Sequence, residues 1–176
     1  MTKKSNVYLA GKVRQHCWRH SLVDGLRNHH WDDGVLPQPL FNYVGPFFVS
    51  CDHGCFHNKN SHGALAREGD WLCPGRGELA EFDFPRQEIA ALCLRAINRA
   101  NLVFCYIDAA DCHGTLFEIG YAHARNVPVV ITFAPGMATA KSNDFWFACA
   151  KAVWVVYNVA ERDLPDYLVK AIRRYT

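Results

Sequence analysis

Two uninterrupted apolar runs, Leu102-Val-Phe-Cys-Tyr-Ile107 and Val127-Pro-Val-Val-Ile-Thr-Phe133, constrain the fold most strongly. Neither alternates in polarity, so each reads as a strand buried on both faces. Helical patterns surround them. Asp83 and Pro85 give a helix start, after which Ile89, Leu92, Cys93, Ala96 and Ile97 recur at helical spacing. Thr115 to Asn126 reads as a helix between the two runs. Upstream, Asn6 to Ala10 is a short strand ended by Gly11. It leads into a helix from about Gln15 to His30, on which Cys17, Leu22, Leu26 and His29 share a face. Downstream come a helix near Asn143 to Ala150, a strand at Ala152 to Val156 and a closing helix from Glu161 to Arg174. Strands that alternate with helices pair in parallel, because each crossover needs the helix. The expectation is an α/β fold, doubly wound in the Rossmann-like or flavodoxin-like manner, with a parallel sheet of about five strands.

With 176 residues, 50% hydrophobic and 20% charged, the chain reads as one domain spanning 1–176. No apolar run reaches the roughly 18 residues of a membrane span. Lys3 and Lys4 lead straight into the first strand without the apolar core of a signal peptide, so the expected location is cytoplasmic. The net charge of +2 is spread thinly, which argues against a nucleic-acid or membrane partner and for a small molecule. The eight cysteines read first as thiols.

Residues 31–82 break the alternation with a stretch rich in Gly, Pro, His, Asn and Asp, too long for an ordinary connection. One strand is expected within it, around Tyr43 to Ser50. Cys51, His53, Cys55 and His57 carry a zinc alternative, since thiolates and imidazoles make tetrahedral sites, but their spacing is not that of a standard finger. The main reading is an insert or lid with no metal and no cofactor. Phe47, Phe48 or Trp71 could then stack on a base, and His53 or His57 could serve as acid, base or phosphate donor. Packing of a lid explains the same residues equally well.

Ligands of open α/β sheets bind beyond the carboxyl ends of the strands. Gly11-Lys12, Asp108 to Gly114 and Phe133 to Gly136 converge there, and Lys12 could hold a phosphate at a helix start. Glu118 stands beside the second segment. Thr115-Leu-Phe-Glu118 is also a capping-box pattern, in which both side chains satisfy free amides at a helix start. Spacing alone leaves capping and catalysis open.

Val7-Tyr-Leu-Ala-Gly11, then Asn101-Leu-Val-Phe-Cys-Tyr-Ile-Asp108, then Gly114-Thr-Leu-Phe-Glu-Ile-Gly-Tyr-Ala-His-Ala124 together resemble the nucleoside 2-deoxyribosyltransferase family and its nucleotide N-glycosidase relatives. The resemblance covers the first strand and most of residues 84–147. It implies that Glu118 attacks the anomeric carbon of a nucleoside or nucleotide, with transfer to a second base or hydrolysis completing the cycle. It also implies a homo-oligomer, with Asn143 reaching a neighbouring site. Asp108 and Asp111 join Glu118 and Asn143 as candidate catalytic residues. Tyr8, Gly11, Lys12, Phe47, His53, His113, Gly114 and Thr115 are the candidate substrate contacts. Two positions depart from the family pattern: Cys112 stands where relatives carry Asp or Ser, and Cys93 where they carry the Asp that handles the base proton. Those replacements favour an alternative, a non-catalytic module of the same fold that binds a nucleotide or NAD. A zinc-stabilised interaction protein is a third reading.

Overall fold

A computed structural model describes residues 4–13, 17–26, 34–47, 56–57, 71–72, 86–137 and 144–176, without the side chains of 56, 57, 71, 72 and 86. Its centre is a six-stranded sheet built from β1 (Asn6–Ala10), β2 (Leu36–Pro37), β3 (Asn42–Gly45), β6 (Leu102–Ile107), β7 (Val129–Phe133) and β8 (Trp154–Val156). The strand order is β2-β3-β1-β6-β7-β8. All neighbours are parallel except β2, which pairs antiparallel with β3 at the edge. The α/β doubly wound fold is therefore as expected, with one more strand than the sequence announced. A separate antiparallel pair joins β4 (Phe56–His57) to β5 (Trp71–Leu72) inside the insert.

Every residue of β6 and β7 is buried, as their unbroken apolar character requires. The pleat sends alternate residues of β1 to two cores. Val7 and Leu9 join Trp18, Phe104 and Tyr106 beneath α4 (Leu164–Tyr175), whose Leu164, Leu168 and Ala171 face inward at helical spacing. Tyr8 and Ala10 join Val103, Cys105, Ile107 and Ile131 on the opposite face. There α1 (Arg86–Arg99) contributes Ala96 and Ile97, and α2 (His113–Ala124) contributes Ile119 and Ala122.

The helix expected near residues 15–30 is not present in the described part of that segment. Residues Trp18–Ser21 form one 3-10 turn, and Gly25 takes φ +77°. The turn drives both Trp18 and Arg19 into the core, where Arg19 is wholly buried. A regular amphipathic helix would have left the arginine on the solvent side.

The chain leaves β1 towards β3 on one side, whereas β6 lies on the other. This reversal of direction makes the carboxyl ends of β1 and β6 the switch point at which ligands bind in such sheets. Gly11 is needed there for close approach, because a Cβ would lie 2.8 Å from the Tyr106 carbonyl oxygen.

Candidate functional site

Glu118 is reached from α2 and Tyr8 from β1. The Tyr8 hydroxyl donates to Glu118 Oε1 at 2.5 Å. This geometry overturns the capping-box reading of Glu118. Cys112 is the N-cap and makes no side-chain cap bond, Thr115 is the third helical residue with its side chain buried, and Glu118 lies in the second turn, facing the sheet. The first intrahelical amide bond runs from Leu116 to the Cys112 carbonyl, so the amides of His113, Gly114 and Thr115 have no partner within the helix.

Cys93 approaches the same pair from α1, near enough to interact electrostatically with both Tyr8 and Glu118. Periodicity places Cys93 on the apolar stripe of its helix, as core. It is instead half-buried, at the junction of core and site.

Burial pushes the Glu118 carboxyl up to about 7, against the opposing hydrogen bond from Tyr8 and the positive charge of Arg19. Burial also raises the Tyr8 hydroxyl well above its ordinary value, helped by the neighbouring Glu118 charge. Cys93 is pushed up to about 11 by burial and then by Glu118, so its thiol holds its proton at neutral pH. The trio thus combines one carboxyl poised near neutrality with two groups that remain protonated.

Across the switch point, Lys12 Nζ meets Asp111 Oδ2 at 2.5 Å. The hydrogen bond and charge of Lys12 hold Asp111 below the usual carboxylate range. Asp111 is accordingly an ionised partner of Lys12 at neutral pH and not a proton donor in this arrangement. Asp108 is half-buried just beyond β6, while His113 and Gly114 are exposed at the start of α2.

A small cleft of about 30 Å³, partly open to solvent, adjoins the trio through Cys93. Val44, Gly45, Pro46 and Phe47 form one wall, and Ile89, Leu92 and Ala96 of α1 form the other. Gly45 allows this wall to close on the site, since a Cβ there would lie 3.2 Å from both the Tyr8 ring and Ala96. Phe47 packs edge-on against Tyr43 at 5.3 Å, and the Tyr43 hydroxyl donates to the Pro46 carbonyl.

The structure therefore gathers Tyr8, Cys93 and Glu118 in one cluster and Gly11, Lys12 and Asp111 in another, with Phe47 at the cleft. Cys51, His53, Cys55 and Asn143 lie outside the described residues, as does the side chain of His57, and the zinc alternative falls there with them. Among the described residues no group of His, Cys, Asp or Glu is placed to hold a metal ion. Nor is any described helix long and apolar enough to cross a membrane.

The sequence pattern did not single out Arg19, which the structure buries completely. Its Nε donates to the Leu9 carbonyl at 2.7 Å and one terminal nitrogen to the Gly11 carbonyl at 2.7 Å. The other terminal nitrogen reaches Cys17 Sγ at 3.0 Å and the Lys12 carbonyl at 3.4 Å. Arg19 thereby fixes the exit of β1, and with it the position from which Lys12 reaches Asp111. The neighbouring Trp18, over whose ring the guanidinium lies at 4.6 Å, was the available signal that this stretch turns inward.

No protein-family model matches the chain, and no curated protein matches it. Among solved structures the chain is similar to the crystal structure of a conserved protein from Enterococcus faecalis V583. The two are 13% identical over 96% of this chain and 99% of that chain, with a TM-score of 0.48.

Proposed function

We propose that the chain is an N-glycosidic-bond enzyme that cleaves or exchanges the base of a (deoxy)nucleoside or nucleotide, with Glu118 as nucleophile. The observation that carries this reading is the Tyr8–Glu118 hydrogen bond beside the sheet's switch point. It aims one carboxylate oxygen and leaves the other to react. In the first half-reaction an oxygen of Glu118 bonds to the anomeric carbon while the carbon–nitrogen bond breaks, and its electron pair leaves with the base. A fixed carboxylate stabilises the positive charge that builds on the sugar before it bonds to it. A second base or water then releases the glycosyl ester.

The resemblance of residues 101–124 to nucleoside 2-deoxyribosyltransferases supports the same assignment. A resident metal or cofactor has no part in this chemistry. The reading is tested by incubating the protein with deoxynucleosides and deoxynucleotides, with and without a second base, and measuring free base. Glu118→Ala is expected to reduce base release by at least about 10³-fold, the scale set by loss of a covalent nucleophile. Base release equal in both proteins, or none from either, would defeat it.

A second reading, a nucleotide- or NAD-binding module without turnover, draws on the state of the nearby acids. Lys12 keeps Asp111 ionised and the Cys93 thiol holds its proton, so neither readily protonates a departing base. Thermal stabilisation by a nucleotide that is recovered intact would favour this module.

A further inference from the structure

The titratable groups around Glu118 hold their protons at neutral pH. Tyr8 on β1 donates to the carboxylate, and Cys93 on α1, Cys105 on β6 and Tyr43 on β3 feel its charge. Burial raises all four, Cys93 to about 11 and the others well above their ordinary values. Arg19, across β1, is a permanent cation. The two nearby aspartates belong to the other cluster. Lys12 holds Asp111 in its ionised form, and the charges of Asp108 and Asp111 act on Cys112 at the start of α2. Among the described residues, then, Glu118 is surrounded by hydrogen-bond donors that do not readily part with a proton.

Ordinary nucleosides suit such a site poorly. A neutral purine or pyrimidine leaves as an anion unless it is protonated, and general-acid help of that kind contributes about 10²–10⁴-fold. The anion would form beside a carboxylate and near apolar walls, with Pro46 and Phe47 on one side and Leu92 and Ala96 on the other. Burial already disfavours charge there, which is why the Glu118 carboxyl is raised. A base that is cationic in the substrate reverses each of these disadvantages. Its charge pairs with the buried carboxylate before the reaction and favours the ionised form that attacks. As the bond breaks, the base becomes neutral and the carboxylate becomes an ester, so both charges vanish together in a medium of low polarity. Phe47 adds a ring at the cleft, and aromatic rings attract cations. The competing cation, Arg19, is engaged elsewhere, on the main-chain carbonyls of Leu9 and Gly11.

We infer, on the reading of Glu118 as nucleophile, that this site takes N-glycosides whose base is positively charged: a pyridinium nucleoside or nucleotide, or a purine one alkylated on a ring nitrogen. An oxygen of Glu118 bonds to the anomeric carbon as the carbon–nitrogen bond breaks. The bonding pair passes to the ring nitrogen, and the base leaves neutral without taking a proton. Water then bonds to the anomeric carbon, the ester's electron pair returns to Glu118, and the water's proton goes to solvent. The thiol at position 93 is no defect in this chemistry, since the leaving base needs no acid.

The test is base release by the full chain from two matched pairs, nicotinamide riboside against its neutral dihydro form and 7-methylguanosine against guanosine. Each is supplied as riboside, 2′-deoxyriboside and 5′-phosphate, with Glu118→Ala as the blank. The members of a pair are close in size and differ in charge. The cationic member is expected to lose its base at least about 100-fold faster than the neutral one. With nicotinamide riboside the rate should rise as Glu118 ionises and then stay level to about pH 9, because no essential acid titrates. Release from the pyridinium pair alone, or from the purine pair alone, tells the two kinds of base apart. Neutral members cleaved about as fast, or a falling alkaline limb, would overturn the cationic class and leave Glu118 as nucleophile. No release above the Glu118→Ala blank from any of these substrates would instead defeat the reading of Glu118 itself.

Discussion

Arg19 and Glu118 are charges brought in from opposite sides of β1, and the chain treats them oppositely. Arg19 lies on the α4 face with its guanidinium distributed over the carbonyls of Leu9, Gly11 and Lys12 and the sulfur of Cys17. Glu118 lies on the α1 and α2 face and receives a side-chain hydrogen bond from Tyr8. Both are buried enough to lose water. Only Arg19 has that loss replaced by protein contacts on every side. A satisfied buried charge fixes the structure around it, while an under-satisfied one is held away from its preferred state and stays reactive.

The sharpest way to break this contrast is Arg19→Met. Methionine fills the volume without donors, so three carbonyls at the exit of β1 lose a buried partner at about 1–3 kcal/mol each before relaxation. A net destabilisation of about 4 kcal/mol is expected, which lowers the thermal midpoint by about 10 °C for a chain of this size. Lysine reaches fewer of the carbonyls and should lose about half as much. A midpoint unmoved in Arg19→Met would mean that the guanidinium is not the strut of this corner.

Glu118→Gln should act in the opposite direction. The folded carboxyl titrates near 7 against 4.5 for the ordinary group, so the folded state binds its proton more tightly. Below about pH 4.5 both states are protonated and ionisation costs nothing. As pH rises from 4.5 through 7, only the unfolded chain readily gives up the proton, and stability falls by roughly 3 kcal/mol in all. Glutamine is neutral throughout, though its amide protons need partners. The variant should therefore be about 1–2 kcal/mol more stable than wild type at pH 8 and no more stable at pH 4.5. Denaturant midpoints of the two proteins at each pH measure the difference. Parallel pH profiles would show that Glu118 is not held against its preference.

The two charges also differ in how legible they were. The sheet could be read because β6 and β7 are apolar without interruption, a pattern that strands buried on both faces require. Glu118 could be singled out because it follows such a strand in a recognisable motif. Its partner Tyr8 appeared only as one residue of a short apolar strand, since pairing across 110 positions leaves no mark on local spacing. Cys93 was obscured in a different way. Helical periodicity correctly places it on the inward face but does not distinguish a side chain inside the core from one at its edge. Arg19 could not be singled out because arginine is usually exposed, and only the tertiary arrangement of carbonyls at the end of β1 makes its burial worthwhile. Chain-local patterns report which face a residue occupies, whereas sites are made by contacts between distant segments.

The smallest expected effect is also the most specific test of the trio. Tyr8→Phe keeps the packed ring and deletes the proton that Tyr8 gives to Glu118. That hydrogen bond is the first of the influences opposing burial, with the Arg19 charge second. Its loss must therefore carry the carboxyl above 7. A shift of about one unit corresponds to about 1.4 kcal/mol. The ionised fraction at pH 7 would drop several-fold, while the fraction at pH 9 would scarcely change. Base release should follow it, with the acidic limb of the rate profile displaced by about one unit and the rate recovered in alkaline solution. A Tyr8 that merely packs would lower the rate equally at every pH and leave the limb in place. The displacement, not the size of the loss, identifies Tyr8 as the residue that positions and ionises Glu118.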